Sequence, residues 1–388
     1  MKKIMILGAG IYQVPLIKTA KKNNLYTIVV SIPGDYPGFE IADEVAFLDT
    51  TDYIRVCEFA IEKKIDAIVT TGTDVALITI GYVCDKLHLN GISYKAARLA
   101  TDKSLMKEAF EQYGVSSAKH KTVYSMDDAV VAASEIGYPV MVKIVDKSGS
   151  RGITRVENKD ELIEAYKYGE KITNADHMIV EKYISGREIG IDAFVQDGKL
   201  KFFLPHDKLV YQTKRTCIPM GHICPIEMSN TLYYELYHQT KLAIEALSLD
   251  NCAVNMDVFI TEDDRVFVIE ATGRCGATGI PEVISEYTGI DYYQIMLQNS
   301  LGECVEFPEK QDLKCAVASV LLFSESSGKL ESIECDRDVS VAFDYQKGQT
   351  VHKVENGTDR IGMAILNSPS FTEWIDRIDS FKRSVSVT

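Results

Sequence analysis

Two apolar runs, Val254-Asn255-Met256-Asp257-Val258-Phe259-Ile260 and Val266-Phe267-Val268-Ile269-Glu270-Ala271-Thr272, flank the polar stretch Thr261-Glu262-Asp263-Asp264-Arg265. The pattern predicts two consecutive strands joined by a hairpin turn. Side chains alternate faces along a strand. Asn255 and Asp257 therefore share one face, and so do Glu270 and Thr272. A hairpin brings these faces together and sets two carboxylates side by side among apolar residues. An unpaired charge is expensive there, so the pair calls for a cation. A hard divalent ion with oxygen ligands fits best, namely Mg²⁺ carrying a nucleotide.

The rest of the composition narrows the field. A chain of 388 residues exceeds one small core and implies two or three domains. Hydrophobic residues make up 46% and charged residues 25%, the balance of a soluble globular protein. The net charge of −14 argues against nucleic acid as a partner, because phosphate backbones need clustered Lys and Arg. Local basic groups can still hold a small phosphate ligand. The nine cysteines are scattered and none forms Cys-x-x-Cys, which argues against zinc or dithiol chemistry. Their odd number and the lack of a signal sequence point to reduced thiols in the cytoplasm. No apolar run approaches the roughly 18 residues of a membrane span.

Residues 3–95 alternate short apolar runs (Ile4–Leu7, Thr27–Ser31, Ala67–Thr71) with amphipathic segments near 14–24, 52–64 and 74–88. That is the βαβ pattern of a parallel sheet. Gly8-Ala9-Gly10 follows the first strand, but Gln13 replaces the third glycine of a dinucleotide fingerprint, and no acid ends the second strand. A tight strand-to-helix turn is the preferred reading. Residues 101–118 read as a helix capped by Thr101. Residues 119–185 read as a small α/β unit, with strands at 121–124, 140–145, 154–156 and 178–182 and helices at 126–136 and 159–165. Residues 186–305 read as a larger α+β unit. The remainder turns strand-rich (315–323, 339–344, 363–367) and finishes on a helix at 370–382.

Pro139-Val140-Met141-Val142-Lys143 places a lysine in an apolar strand, where it either meets a fixed anion or snorkels to solvent. Ser148-Gly149-Ser150-Arg151-Gly152 follows, a loop whose backbone N–H groups and hydroxyls can cradle phosphate or simply join two strands. In Glu181-Lys182-Tyr183-Ile184-Ser185-Gly186-Arg187-Glu188, Glu181 or the adjacent backbone can meet the edge of an adenine and Glu188 a ribose. Equally, the two acids bound an exposed turn. The stretch 205–229 reads as a connection holding Lys208, Lys214, Arg215 and His222. It is either a substrate loop, with the Arg215 fork on a carboxylate, or a solvated link. Gly276-Ala277-Thr278-Gly279 lies beyond it, and Cys217, Cys224 and Cys275 read as inert thiols.

Together these residues resemble the ATP-grasp superfamily, in its amino-acid-ligase and biotin-carboxylase-like branches. The resemblance runs from about residue 4 to 380 and is densest at 101–275. It implies a multidomain α/β and α+β chain: a Rossmann-like domain (1–100), an ATP-grasp small lobe (101–185), a large lobe with the metal hairpin (186–305) and a strand-rich C-terminal segment packing on the large lobe (306–388). It implies phosphate-side lysines at Lys103 and Lys143, and a mobile glycine loop at Ser148, Gly149, Ser150 and Gly152. The adenine hinge falls on Glu181, Lys182, Tyr183 and Ile184, and the ribose ligand on Glu188. Asp257 and Glu270 are the implied Mg²⁺ ligands (with Mn²⁺ as a substitute), and Arg274 faces the reacting carboxylate. One departure stands out. The family commonly reads Glu-x-Asn-x-Arg, and this chain reads Glu270-Ala271-Thr272-Gly273-Arg274. Thr272 binds metal through its hydroxyl, through water, or not at all.

The implied chemistry is an ATP-dependent ligase that activates a small-molecule carboxylate as an acyl phosphate and couples it to an amine. The alternatives are a bicarbonate-using carboxylase, which forms a carbamate, and a nucleotide-binding regulatory protein without turnover. The resemblance further implies a homodimer.

Overall fold

The computed structural model describes residues 1–146, 152–212, 217–308, 316–333, 340–354, 359–368 and 385–387. No helix among them is long and apolar enough to cross a membrane. The expected helix at 370–382 lies outside the described residues.

The chain opens on four parallel strands, β1 (Lys3–Leu7), β2 (Tyr26–Ser31), β3 (Glu44–Phe47) and β4 (Ala67–Val69), in the order β3-β2-β1-β4. Helices α1 (Val14–Lys22), α2 (Pro37–Ile41), α3 (Tyr53–Lys63) and α4 (Leu77–Leu87) alternate with them. Ile4, Met5, Ile6 and Leu7 are fully buried, as a parallel strand covered on both faces requires. At the Gly8-Ala9-Gly10 turn the buried Gln13 side chain donates from Nε2 to Thr71 O at 2.5 Å. A side chain of the chain itself therefore fills the turn.

Helices α5 (Tyr94–Thr101) and α6 (Lys103–Tyr113) follow. The cap of α6 is Asp102, not Thr101. The Asp102 carboxylate accepts from Ser104 N at 2.9 Å and Leu105 N at 3.2 Å. Thr101 ends α5 instead, and its hydroxyl bonds Ala97 O at 2.8 Å.

A small lobe comes next. Strands β5 (His120–Val123), β6 (Val140–Ile144), β7 (Ile153–Val156) and β8 (Met178–Lys182) form an antiparallel sheet ordered β5-β8-β6-β7. Helices α7 (Met126–Ile136) and α8 (Lys159–Ile172) cover it. The α8 helix outruns its expected end at 165 because Leu162, Ala165, Tyr166 and Gly169 continue one buried stripe at helical spacing. The lobe is entered beside Ser116, whose carbonyl accepts from Val268 N at 2.7 Å. It is left through Gly186, packed so closely on the hairpin that a Cβ there would sit 2.3 Å from Ile260 O.

The large sheet has eight strands. They are β9 (Arg187–Gln196), β10 (Lys199–Gln212), β11 (Cys217–Cys224), β12 (Cys252–Ile260), β13 (Val266–Thr272), β14 (Ala316–Phe323), β16 (Ser340–Phe343) and β18 (Arg360–Ser368). Their order is β13-β12-β9-β10-β11-β14-β18-β16. Helices α9 (Asn230–Ala246), α10 (Ile280–Thr288) and α11 (Tyr292–Ser300) belong to the same part of the chain. A separate sheet joins β15 (Gly328–Ile333), β17 (Thr350–Val351) and β19 (Val385–Val387). The described C-terminal strands β14, β16 and β18 thus extend the large sheet.

Two expectations meet this sheet differently. The hairpin register pairs Asp257 with Glu270 and Asn255 with Thr272, so the predicted faces coincide. The stretch 205–229, read as a connection, instead holds β10 and β11 through Cys224. His206, Asp207 and Lys208 break the apolar pattern that betrays a strand, because the polar face of this sheet is lined rather than covered.

Gly190 on β9 lies opposite Asp257 on one side and His206 on the other. A Cβ there would fall 2.0 Å from His206 Cε1. Gly190→Ala is expected to force the ring aside and destabilise the protein by about 1–3 kcal/mol, the usual cost of overpacking. Urea unfolding measures this, and an unchanged midpoint would rule out the close packing.

Candidate active site

The small and large lobes face each other across a cleft. Its lining includes Lys103, Lys143, Glu181, Lys182, Tyr183, Ile184, Glu188, Asp257 and Glu270. Residues expected to act together from four separate stretches of sequence therefore meet in one place. Met141, Ile153, Phe259 and Ile269 add apolar walls suited to a flat ring. Ser148, Gly149, Ser150 and Arg215 lie outside the described residues. Gly152, the last residue of that expected loop, is described.

One wall is basic. Lys143 on β6 forms an ion pair with Glu181 Oε1, and Lys107 on α6 approaches Glu181 Oε2 at 3.3 Å. All three are buried. Burial alone would push the Glu181 carboxyl up, but Lys107 and Lys143 outweigh it and hold the group at about 2. Burial pushes Lys107 down. Lys182 lines the cleft, while its ammonium donates to the carbonyls of Gly137 at 2.8 Å and Tyr138 at 3.2 Å. The Arg155 guanidinium lies 4.1 Å above the Tyr183 ring.

The other wall is acidic. Asp257 and Glu270 stand cross-strand, and Lys103 Nζ lies 4.0 Å from Glu270 Oε2. Lys208 bridges Asp257 Oδ1 at 2.5 Å and Glu188 Oε1 at 2.7 Å. Burial first, and the Asp257 charge second, push the Glu270 carboxyl up. A carboxylate whose ionisation is opposed by burial and by a neighbouring carboxylate is a fit place for a divalent cation. Among the described residues no group of three or more His, Cys, Asp or Glu converges to hold a metal by itself. A pair of carboxylates suits Mg²⁺ of the kind that takes its other ligands from phosphates and water.

Arg274 and Thr272 sit away from the cleft lining. Arg274 forks onto Asp74, with Nε to Oδ1 at 2.8 Å and Nη2 to Oδ2 at 2.9 Å. Nη1 donates to Asn255 Oδ1 at 3.1 Å and to Cys275 O at 3.0 Å. The Thr272 hydroxyl donates to the same Asp74 at 2.8 Å. Burial would raise Asp74, yet Arg274 and Thr272 hold it below the usual carboxylate range. Cys275 is buried, and burial pushes its thiol up to about 11, so it stays an inert thiol at neutral pH.

Several residues at this site escaped the sequence reading. Asp74 follows β4, at the carboxyl end of a parallel sheet where ligands gather, and that position was a usable signal. Asp192 is a lone acid in the apolar run of β9, the same kind of signal that exposed Lys143. Lys107 lies one helical turn beyond Lys103. His206 carried no signal of its own.

Glu181 supplies a pH test. Its carboxyl titrates near 4.5 when free and is held at about 2 in the fold. The stability it contributes is full above about pH 4.5 and is lost as pH falls toward 2. Glu181→Gln should destabilise the protein near neutral pH by about 3–5 kcal/mol, as breaking a buried pair does. The gap to wild type should narrow in urea titrations run near pH 3. A gap that stays constant would contradict the pairing.

Residues 136–282 match the ATP-grasp domain model. Alanine–anticapsin ligase of Bacillus subtilis is 25% identical over 255 residues, covering 60% of this chain and 53% of that one. The chain spans about half the length, or less, of the curated relatives it matches. The crystal structure of phosphoribosylglycinamide synthetase from Anaerococcus prevotii is 30% identical, with a TM-score of 0.85 over 100% of this chain and 99% of that one. L-amino acid ligase from Bacillus licheniformis shares the fold at TM-score 0.83 and 18% identity, over 100% and 98% of the two chains. The cleft, the order of its residues and a likeness that runs the full length agree: the chain belongs to the ATP-grasp superfamily.

Proposed function

We propose that this chain is an ATP-dependent ligase that couples a small carboxylate to an amine, with an amino acid among the acceptors. The observation that carries the reading is the single cleft shared by Lys103, Lys143, Glu181–Ile184, Glu188, Asp257 and Glu270. Apolar walls and the backbone at 182–184 would take the adenine ring. Glu188 would take the ribose hydroxyls. Lys103 and Lys143 would neutralise phosphate oxygens, Lys143 doing so by sharing itself with Glu181. Asp257 and Glu270 would hold Mg²⁺, which when bound draws charge from the phosphates. The names of the two amino-acid ligases support the same reading.

A carboxylate is a poor electrophile. Phosphorylation turns it into an acyl phosphate with a good leaving group, and an amine then displaces phosphate. Positioning and charge neutralisation dominate the first step. Arg274 has five N–H donors and spends four on Asp74, Asn255 and Cys275, which leaves one Nη2–H for a substrate carboxylate. Asp74 fixes the guanidinium plane, so the arginine is aimed before substrate arrives.

The test follows ADP release from Mg-ATP with carboxylate pools, with and without amines. Amine-dependent release is the expected result. Release driven by bicarbonate alone would make the chain a carboxylase, and nucleotide binding without turnover would make it a sensor. Glu270→Gln should cut turnover by roughly 10²–10³-fold, the usual loss of one stabilising group. It should leave nucleotide binding measurable by calorimetry. Lys143→Ala should raise the nucleotide Kd by about tenfold or more. Unchanged values in either variant would count against the assigned role.

A further inference from the structure

Lys208 on β10 stands beside the cleft, and the steps above make no use of it. Its ammonium lies 2.5 Å from Asp257 Oδ1 and 2.7 Å from Glu188 Oε1, and its side chain is only 16% exposed. One cation therefore ties the carboxylate proposed for the metal to the one proposed for the ribose. The reach needs an open path. Asp257 on β12 pairs with Gly190 on β9, and Gly190 pairs with His206 on β10, so the three form one row across the sheet. Lys208 lies two residues beyond His206, and Glu188 two residues before Gly190. Alternation puts them all on one face. Neighbouring strands lie about 4.8 Å apart, which separates β10 from β12 by roughly 10 Å. Lys208 spans that gap over Gly190, which has no side chain to bar the way.

The contact bears on what Asp257 can hold. Its Oδ1 already has a positive partner at 2.5 Å. A divalent ion set against the same carboxylate would stand close to the ammonium, and two cations repel strongly in a site shielded from water. Lys208 must therefore release Asp257 before a metal can be held there. Glu188 grips the ammonium from its other side, so release from one carboxylate leaves a partner on the other. Glu270, cross-strand from Asp257, is approached less closely, by Lys103 at 4.0 Å. The obstacle to a cation thus lies on Asp257. A bare divalent ion brings only more positive charge to the exchange. A metal carried on a nucleotide brings phosphate oxygens as well, and their negative charge offsets that of the released ammonium.

We propose that Lys208 is a place-holding cation that selects metal–nucleotide over bare metal. Its ammonium competes with a divalent ion for Asp257 and yields when phosphates arrive with the metal. The proposal rests on the assignment of Asp257 and Glu270 to the metal in the ligase reading. Lys208 is then a specificity-determining residue, acting through Asp257 and Glu188. Free metal does not load the cleft ahead of the nucleotide, so the two enter as one complex.

The test measures Mn²⁺ binding without nucleotide, at low ionic strength, from the electron paramagnetic resonance signal of the free ion. Lys208→Gln and Lys208→Met remove the charge, and each should bind bare Mn²⁺ roughly tenfold or more tighter than wild type. Lys208→Arg keeps the charge and should bind it as weakly as wild type does. Adding Asp257→Asn to Lys208→Gln should abolish the gain. Circular dichroism checks that each variant is folded. Equal binding of bare Mn²⁺ by wild type and the uncharged variants, or a gain that survives Asp257→Asn, would overturn the place-holder. A second measurement adds ADP. Wild type should then retain Mn²⁺, and Glu270→Gln should weaken that retention. If it does while the Lys208 variants show no gain, the place-holder fails and the metal assignment stands. A wild-type protein that retains no Mn²⁺ with ADP would overturn both.

Discussion

Charge on the inner face of the large sheet must be answered from within the molecule, and most of the site follows from that requirement. Strand alternation sends Asp257, Glu270 and Asp192 to the same side of β9, β12 and β13, while Ile189, Ile191, Val254, Met256, Val268 and Ala271 are buried in the core. An unpaired carboxylate as fully buried as Asp192 costs several kcal/mol there. Lys208 crosses from β10 to meet Asp257, and Asn255 with His206 meets Asp192. Glu270 is the least well answered, with Lys103 at 4.0 Å and its own carboxyl pushed up. The place where protein partners fall short is the place proposed here for a cation and phosphates. The small lobe repeats the logic with the sign reversed, since Lys107 and Lys143 share the one carboxylate of Glu181.

Much of the fold was legible wherever one periodicity ruled. The β6 and β8 strands of the small lobe lie almost where their apolar runs place them, and the β12–β13 register follows from alternation alone. Legibility failed where function competes with pattern. The β10 strand carries His206, Asp207 and Lys208 through the sheet, so its hydropathy resembles a loop while its backbone pairs on both edges. At α6 the choice between neighbouring caps, Thr101 and Asp102, turned on which oxygen reaches two backbone N–H groups, and the carboxylate won.

The site divides in the same way. Lys143, Asp257 and Glu270 announced themselves as charges in apolar strands. Lys107, Asp74 and His206 did not, because each matters through a partner far away in sequence: Glu181, Arg274 and Asp192 respectively. Thr272, which stands where the family commonly has asparagine, gives its hydroxyl to Asp74 and helps aim Arg274. The substitution therefore sits at a junction between the N-terminal sheet and the β12–β13 hairpin, where the shorter side chain has a ready acceptor.

The two crossings into the small lobe touch the same hairpin. Ser116 bonds the β13 backbone where the lobe begins, and Gly186 lies flat against the end of β12 where it finishes. A body held by two neighbouring pins can swing like a door but cannot slide. The hinge line then runs along the hairpin that carries Asp257 and Glu270. Any rotation about that line would leave these carboxylates nearly in place and carry Lys143 through a wider arc. Such a rotation would open and close the cleft without disturbing the carboxylate pair.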